Sequence, residues 1–297
     1  MQPRRQALPA PGGPRPAAPR PAAPLPALLL LLLLALQGAA AAPAGSEAPR
    51  EAAGWQLDPE LPHGLLQKAA RAALHFFHFR AGSPSALRAL AAVQRGRARI
   101  NSKKECQVDL EFTTERYNPK EGEERLGKCS AQVFFKNEKP GPTINVTCTR
   151  FMEKSQRQQE DYQLYKHMQQ LKTPLEVSSI PDSHGHIDPS LVPIWDLAFL
   201  GSSYVMWEKT TQFLHYYMAQ LSSVQQWKTD EDAIDFDYTV LLHEFSTQEI
   251  IPCRIHLVWH PSKPLKVKYH CQGPQPPEEA SGTEEGSAVA PTGFSNY

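Results

Sequence analysis

The chain has 297 residues, a formal net charge of zero and a 41% share of hydrophobic residues. This length suits two globular domains of about 100 residues each, and the balanced charge argues against a general nucleic-acid binder. Phosphate loops, nucleophile elbows and zinc-protease helix motifs are absent from the sequence. We therefore expect a protein that is not an enzyme and that needs no cofactor.

The N-terminal region carries the features of a targeting segment. Residues 1–24 form a tail rich in Pro and Arg without acidic residues, residues 25–42 form a Leu- and Ala-rich run, and residues 43–62 read as a linker. The run has the composition of a signal peptide, and at about 18 residues it is also just long enough to span a bilayer as a signal anchor. The arginines before it favour a single-pass membrane protein whose globular part is lumenal or extracellular. Secretion after signal cleavage is the alternative.

A helix followed by strands is predicted within a first unit, residues 63–150. Residues 64–79 place apolar side chains at helical spacing, and Gly82 and Pro84 end that pattern. Residues 106–117 alternate apolar and polar side chains, as a half-buried strand does. One helix followed by an antiparallel sheet predicts an α+β fold.

The first unit ends in a hairpin with a cysteine at each end. If Val133 pairs with Ile144 across a turn that holds Asn137, Pro140 and Gly141, Cys129 lies directly opposite Cys148. We then expect a cross-strand disulfide in an oxidising compartment. Asn145 lies on the polar face of the second strand within the acceptor tripeptide Asn-Val-Thr. We therefore expect a glycan at Asn145.

The same order recurs in a second unit, residues 181–272. A helix is predicted over residues 188–204, followed by a long strand or bent pair over residues 205–227 and, later, a second hairpin. Its register places Cys253 opposite Cys271, which predicts a second disulfide. An apolar segment begins about 65 residues before the first hairpin cysteine in both units, so we infer an internal duplication of roughly 90–100 residues.

One face of the second hairpin is basic. Because side chains alternate along a strand, the cysteines and the apolar residues share the core face. The basic side chains share the other face: Arg254, His256, Lys266, Lys268 and His270. That face is either a dock for an acidic partner or an ordinary solvated sheet face, and the second interpretation is the commoner one.

Two further segments lie outside the repeated units. Residues 151–180 contain apolar side chains at helical spacing, which predicts a connecting helix and loop packed across both units. Residues 273–297 are acidic and poor in apolar side chains, so we expect a disordered tail. The fifth cysteine, Cys106, is expected to be a buried thiol.

The stretch Asp-Ser-His-Gly-His-Ile-Asp at 182–188 is the best candidate for a metal site in the sequence. His184 and His186 stand between two aspartates, but structural metal sites usually need four well-spaced ligands. Gly185 and the flanking prolines favour a turn that leads into a helix. We expect no bound metal and keep the two histidines as candidate contacts with a partner protein.

Several strings in the sequence closely resemble the latexin family of carboxypeptidase inhibitors, over about residues 63–272. They are EDYQLYKHMQQLKTPLE, IPDSHGHIDPS, SSYVMWE, IDFDYTVLLHEFSTQEIIP and VWHP. The resemblance implies two tandem cystatin-like units, each with one helix on a curved antiparallel sheet, joined by a connecting helix. It also implies inhibition of zinc metallocarboxypeptidases by surface contact. With its Leu-rich run, the chain is most similar to a membrane-bound branch of the family, for which a growth-suppressing regulatory role is implied.

The chain also departs from latexins. They lack the apolar N-terminal run and the Cys253–Cys271 pair, and the Gln-x-Val-x-Gly loop by which cystatins enter cysteine proteases is missing here, so inhibition of cysteine proteases is not expected. We expect the partner surface around the connecting helix and the loop Ser178–Pro189, where His184 or His186 could approach the zinc of the enzyme or could simply form a passive turn. The alternative function is a membrane-tethered interaction module that has kept the fold and lost inhibition.

Overall fold

Each half of the globular sequence forms an antiparallel sheet with a helix on it. The computed structural model describes residues 64–117, 126–149, 152–170, 176–227, 232–273 and 283–291. Within them the chain order is α1 (Leu65–Ala81), β1 (Arg88–Ile100), β2 (Cys106–Arg116), β3 (Gly127–Phe135), β4 (Thr143–Cys148), α2 (Lys154–Gln169), β5 (Glu176–Ile180), α3 (Val192–Lys209), β6 (Tyr216–Trp227), β7 (Ile234–Glu244), β8 (Ile250–Trp259), β9 (Lys266–Gln272) and β10 (Thr283–Val289). A short 3-10 helix, Pro84–Ala86, lies between α1 and β1.

The first sheet has the strand order β1-β2-β3-β4, and α1 packs against all four strands. Buried and exposed residues alternate along much of β2, β3 and β4, because successive side chains of a strand point to opposite faces. The helix contributes short buried side chains at Ala69, Ala70, Ala72 and Ala73. Short side chains let a helix approach two neighbours at once, and α1 contacts both this sheet and α3.

The second sheet has the strand order β10-β9-β8-β7-β6-β5, and α3 packs across it. Most residues of α3 are buried. At Gly201 the helix comes so close to β7 that an added Cβ atom would lie 2.3 Å from the hydroxyl oxygen of Tyr238. That hydroxyl donates a hydrogen bond to the carbonyl of Ala198 at 3.0 Å. The contact fixes the middle of α3 against the sheet.

The two halves meet through α1 and α3. The ring of Phe76 lies 4.8 Å from that of Trp207, and the ring of Phe79 lies 4.7 Å from that of Tyr204. Directly after α1, the carbonyl of Gly82 accepts a hydrogen bond from the indole of Trp259 at 2.9 Å. All the described residues accordingly fall within one compact unit.

The predicted hairpin registers are confirmed. Cys129 pairs with Cys148 across β3 and β4, and Cys253 pairs with Cys271 across β8 and β9. Both pairs form disulfides, and Cys106 is a buried free thiol. The α+β class is also confirmed by helices and antiparallel sheets. The description of each half as a cystatin-like unit stays a prediction.

The boundary between α3 and β6 differs from the prediction. The predicted strand over residues 205–227 is wrong in its first part, because α3 continues to Lys209 and β6 begins only at Tyr216. A short apolar run fits a helix and a strand equally well. In the structure Val205 and Met206 lie within α3 and are fully buried in the hydrophobic core of the second half. The helix stops at Thr210, whose hydroxyl donates to the carbonyl of Met206 at 2.6 Å.

The acidic tail also departs from the prediction of disorder. Residues 283–289 form β10, which pairs with β9 at the edge of the second sheet. The composition argument considered only buried side chains, whereas β10 pairs with β9 through its backbone from Thr283 to Val289. Within the tail residues whose burial is described, 285–291, Ala290 alone is buried.

The N-terminal targeting segment lies outside the described residues. This applies to the tail 1–24, the apolar run 25–42 and the linker 43–62. Among the residues that are described, none of the helices is both long and apolar enough to cross a membrane.

Candidate functional site

The loop between β5 and α3 holds the two candidate histidines. The carboxylate of Asp182 accepts hydrogen bonds from the backbone amides of His184 and His186, both at 2.9 Å. These bonds hold the pKa of the Asp182 carboxyl below its usual range. Gly185, at the tip, has a φ of +78°, which a residue with a side chain adopts at a cost. The loop is therefore a folded turn from which both histidines are exposed to solvent.

A second aspartate fixes the end of this loop. The carboxylate of Asp188 accepts hydrogen bonds from the amide and the hydroxyl of Ser190, at 2.8 and 2.6 Å, and these bonds lower its pKa. The helix α3 begins immediately afterwards with Pro193 in its first turn. Both aspartates thus shape the backbone. In the part of the chain that the structure describes, no group of three or more His, Cys, Asp or Glu side chains is placed to hold a metal ion.

A groove of about 570 Å³ lies at the end of the loop, between α2, the 3-10 helix and the start of α3. Its lining includes Val192 and Pro193, the first two residues of α3. Arg116 and Glu160 form an ion pair of 2.8 Å in the lining, with side chains only 13% and 20% exposed. The groove therefore lies between α2 and the residues of α3 that directly follow the loop.

A buried carboxylate ties α2 to the first half of the protein. Asp161 accepts hydrogen bonds from the hydroxyl of Ser83 at 2.6 Å and from the hydroxyl and amide of Ser85 at 2.7 and 3.1 Å. Burial raises the pKa of Asp161 above its usual value, against the effect of these bonds. On the same helix, Tyr165 and Met168 belong to the core of the second half. The helix α2 therefore contacts both halves.

A comparison with protein families decides where the chain belongs. The family model described as latexin matches residues 59–277, which is most of the chain. This chain belongs to the latexin family. The latexin match includes the loop, α2 and the groove, and it confirms the resemblance predicted from the sequence.

Individual relatives agree with the latexin assignment. Retinoic acid receptor responder protein 1 of Homo sapiens is 75% identical over 244 residues, covering 81% of this chain and 83% of that protein. Ovocalyxin-32 of Gallus gallus is 36% identical and covers 74% and 79%, and latexin of Mus musculus is 31% identical and covers 73% and 97%. The solved structure of mouse fetuin-B, at 12% identity and covering 73% of this chain and 77% of its own, has a TM-score of 0.24, which is too low to bear on the fold.

The sequence singled out some of the residues described above and missed others. It singled out His184 and His186, which lie together in one exposed turn. Asn145 is exposed on β4, and its glycosylation stays a prediction. The groove was missed, because its walls come from segments far apart in the chain. One signal in the sequence could have indicated it. Asp161 is an acidic residue at helical spacing from Tyr165 and Met168, and all three lie on the buried side of α2.

Proposed function

We propose that this chain is a membrane-associated inhibitor of zinc metallocarboxypeptidases that covers the mouth of the enzyme's active site. Membership of the latexin family supports this function. The observation that carries it further is the turn at His184 and His186, which the Asp182 carboxylate holds in shape without any partner. The inhibitor blocks the enzyme by contact alone and takes no chemical part in its reaction.

The geometry of the surface suits an inhibitor. A segment that is already folded loses little conformational entropy on binding, so more of the contact energy appears as affinity. Standard inhibitor complexes bury about 1,600 Å² in total. The loop, α2 and the groove together offer the surface on which we expect such an interface to form.

The two histidines give this surface a specific feature. Imidazole nitrogen is a common ligand of zinc, and His184 and His186 are both exposed. When the loop lies over the mouth of the carboxypeptidase active site, one of the two histidines reaches toward the catalytic zinc. The remaining contacts exclude water and substrate around it.

The cellular location that we propose follows from the same chain. Disulfides persist in oxidising compartments, and the structure contains two of them. An exposed Asn145 is accessible to glycosylation in that environment. We place the globular part in the lumen or outside the cell, where it would meet a secretory carboxypeptidase.

The decisive experiment is a titration of the full chain against a secretory and a cytosolic metallocarboxypeptidase. We expect stoichiometric loss of activity with the secretory enzyme at micromolar inhibitor. Replacing both His184 and His186 by Ala should weaken inhibition about tenfold or more, which corresponds to about 1.4 kcal/mol or more of binding free energy.

A matched control lies at the other end of α3. Lys139 is exposed in the β3–β4 turn, which contacts the C-terminal end of this helix through a hydrogen bond from Gly141 to Thr210. Lys139→Ala should inhibit as the unmodified chain does. If the full chain inhibits neither enzyme, the inhibitor proposal is wrong and an interaction module is the better description.

A further inference from the structure

The strand β10 covers the outer edge of β9 and buries few of its own side chains. Among residues 285–291, Glu285, Ser287 and Val289 are exposed, and Ala290 is the only buried side chain. Because burial of apolar surface is the main source of stability, β10 gains little beyond its backbone hydrogen bonds with β9. β10 also lies beyond residue 277, where the latexin match ends.

The charges of the two strands are complementary. Glu285 lies opposite His270 in the register, and its carboxylate is 2.9 Å from the imidazole Nδ1. Further along β9, Lys266 and Lys268 are exposed on the face that holds His270. Glu285 of β10 therefore lies on the basic face of the hairpin.

The edge of β9 is narrow beside Gly286. Gly286 lies opposite Tyr269, and an added Cβ atom at this position would lie 2.2 Å from a carbon of the tyrosine ring. Beyond the strand, the amide of Ala290 donates to the carbonyl of Leu265 at 2.7 Å, and its side chain is 3% exposed. The edge of β9 therefore accommodates a strand that has glutamate opposite His270 and glycine opposite Tyr269. A small side chain follows four residues after the glycine.

We propose that the edge of β9 is a binding site for an extended acidic segment of a partner protein, and that β10 is a built-in competitor for it. An added strand gains affinity from main-chain hydrogen bonds and specificity from alternate side chains. The partner segment carries a Glu-Gly pair, with the glutamate against His270 and the glycine against Tyr269. A recess of about 340 Å³ beside the strand, lined by His256, Lys266 and Lys268 as well as Asp235, lies on the same face.

The probe for this site is a fluorescein-labelled peptide with the sequence of residues 281–291, added to the full chain. In the unmodified chain β10 occupies the edge, so fluorescence anisotropy should show weak binding. Gly286→Leu in the chain expels its own strand from Tyr269, and the peptide should then bind about tenfold or more tightly. Ser287→Ala, on the same strand without a steric conflict, should behave as the unmodified chain.

Changes within the peptide separate strand addition from general attraction. A peptide with leucine in place of its glycine should fail to bind the Gly286→Leu chain, and a peptide with lysine in place of the glutamate that corresponds to Glu285 should bind about tenfold less tightly. Equal binding of all three peptides would overturn the proposal, as would no binding of the original peptide to the variant.

Hydrogen exchange provides the second measurement. The amides of β9 that face β10 should exchange faster in the Gly286→Leu chain and recover their protection when the peptide is added. Glu285→Lys offers a variant without steric conflict, and it should show the same change in smaller degree. Unchanged protection of β9 in both variants would contradict displacement of the tail.

Discussion

The close approach of Gly201 to Tyr238 makes one glycine essential to the core. Gly201→Ala places a methyl group against the buried hydroxyl of Tyr238 and 3.1 Å from a methyl of Leu257. Overpacking of a core costs about 1–3 kcal/mol, whereas alanine gains about 1 kcal/mol over glycine within a helix. We expect a net loss of up to about 2 kcal/mol in the free energy of unfolding, measured by urea denaturation.

The partner variant Tyr238→Phe tests the cause of that loss. Removing the hydroxyl removes the nearest obstacle to the new methyl group, so Gly201→Ala should cost less in the Tyr238→Phe background than in the original one. A Gly201→Ala chain as stable as the original would show that α3 can move away from β7.

Asp161 is the residue on which the attachment of α2 depends. Asp161→Ala removes an acceptor of three hydrogen bonds and leaves the buried hydroxyl of Ser83 without this partner. Losing such a buried network costs about 1–3 kcal/mol. We expect that decrease in unfolding free energy, and faster hydrogen exchange in α2. Glu153→Ala, at an exposed residue before this helix, should change neither.

At the scale of elements, the disulfides close the two hairpins. Each bond spans a separation of 18 or 19 residues, for which the entropy lost by the unfolded chain corresponds to about 3 kcal/mol. Replacing Cys253 and Cys271 by Ala should lower the unfolding free energy by about that amount. Peptide mapping of the secreted chain without reductant should recover both linkages, and free thiols at all four positions would contradict the proposed compartment.

The hairpins could be predicted from the sequence, and several other elements could not. Alternation with period two, together with a turn centre, fixes the partner of every residue, so the Cys253–Cys271 register followed directly. The end of α3 depends on what covers Val205 and Met206, which no local pattern contains. β10 depends on an unpaired edge of another strand. The groove depends on Asp161 meeting Ser83, 78 residues away.

At the scale of the whole molecule, buried histidines lie where the two halves meet. His75 and His78 on α1, and His215 after α3, are all buried. Burial lowers the pKa of His75 to about 3 and that of His215 to about 4, and it lowers the pKa of His78 well below its usual value. Arg71 lowers the pKa values of His75 and His215 further, while Glu244 raises that of His215. The assembled halves therefore disfavour protonation of these rings.

Acid should weaken the folded state for this reason. An unfolded histidine binds its proton near pH 6.5, whereas these folded ones bind it only at much lower pH. Above about pH 7 they contribute no pH dependence, and below pH 6.5 each should reduce the unfolding free energy by about 1.4 kcal/mol per pH unit. Urea denaturation between about pH 7 and pH 5 measures this slope. Burial raises the pKa of the Asp161 carboxyl, so the folded state binds this proton more tightly than the unfolded chain does. Asp161 therefore offsets part of the loss of stability in acid.

His75→Phe isolates the contribution of one ring. The buried Nδ1 of His75 has no hydrogen-bond partner within the described residues, so an apolar ring of similar shape loses no bond there. The variant should show a shallower decline of stability in acid than the original chain. The same slope in both would assign the pH dependence to other groups.

Because α1 packs against α3, α1 cannot be fully covered until the ribosome has synthesised α3. About 110 residues separate the end of α1 from the start of α3, which at ribosomal speeds of 5–20 residues per second is roughly 5–20 s of translation. Throughout that interval the aromatic side of α1 has no α3 to cover it, even after its own sheet has been completed with β4 at Cys148. A nascent chain halted before α3 should therefore recruit chaperones that bind exposed aromatic surface, and release them once α3 has emerged.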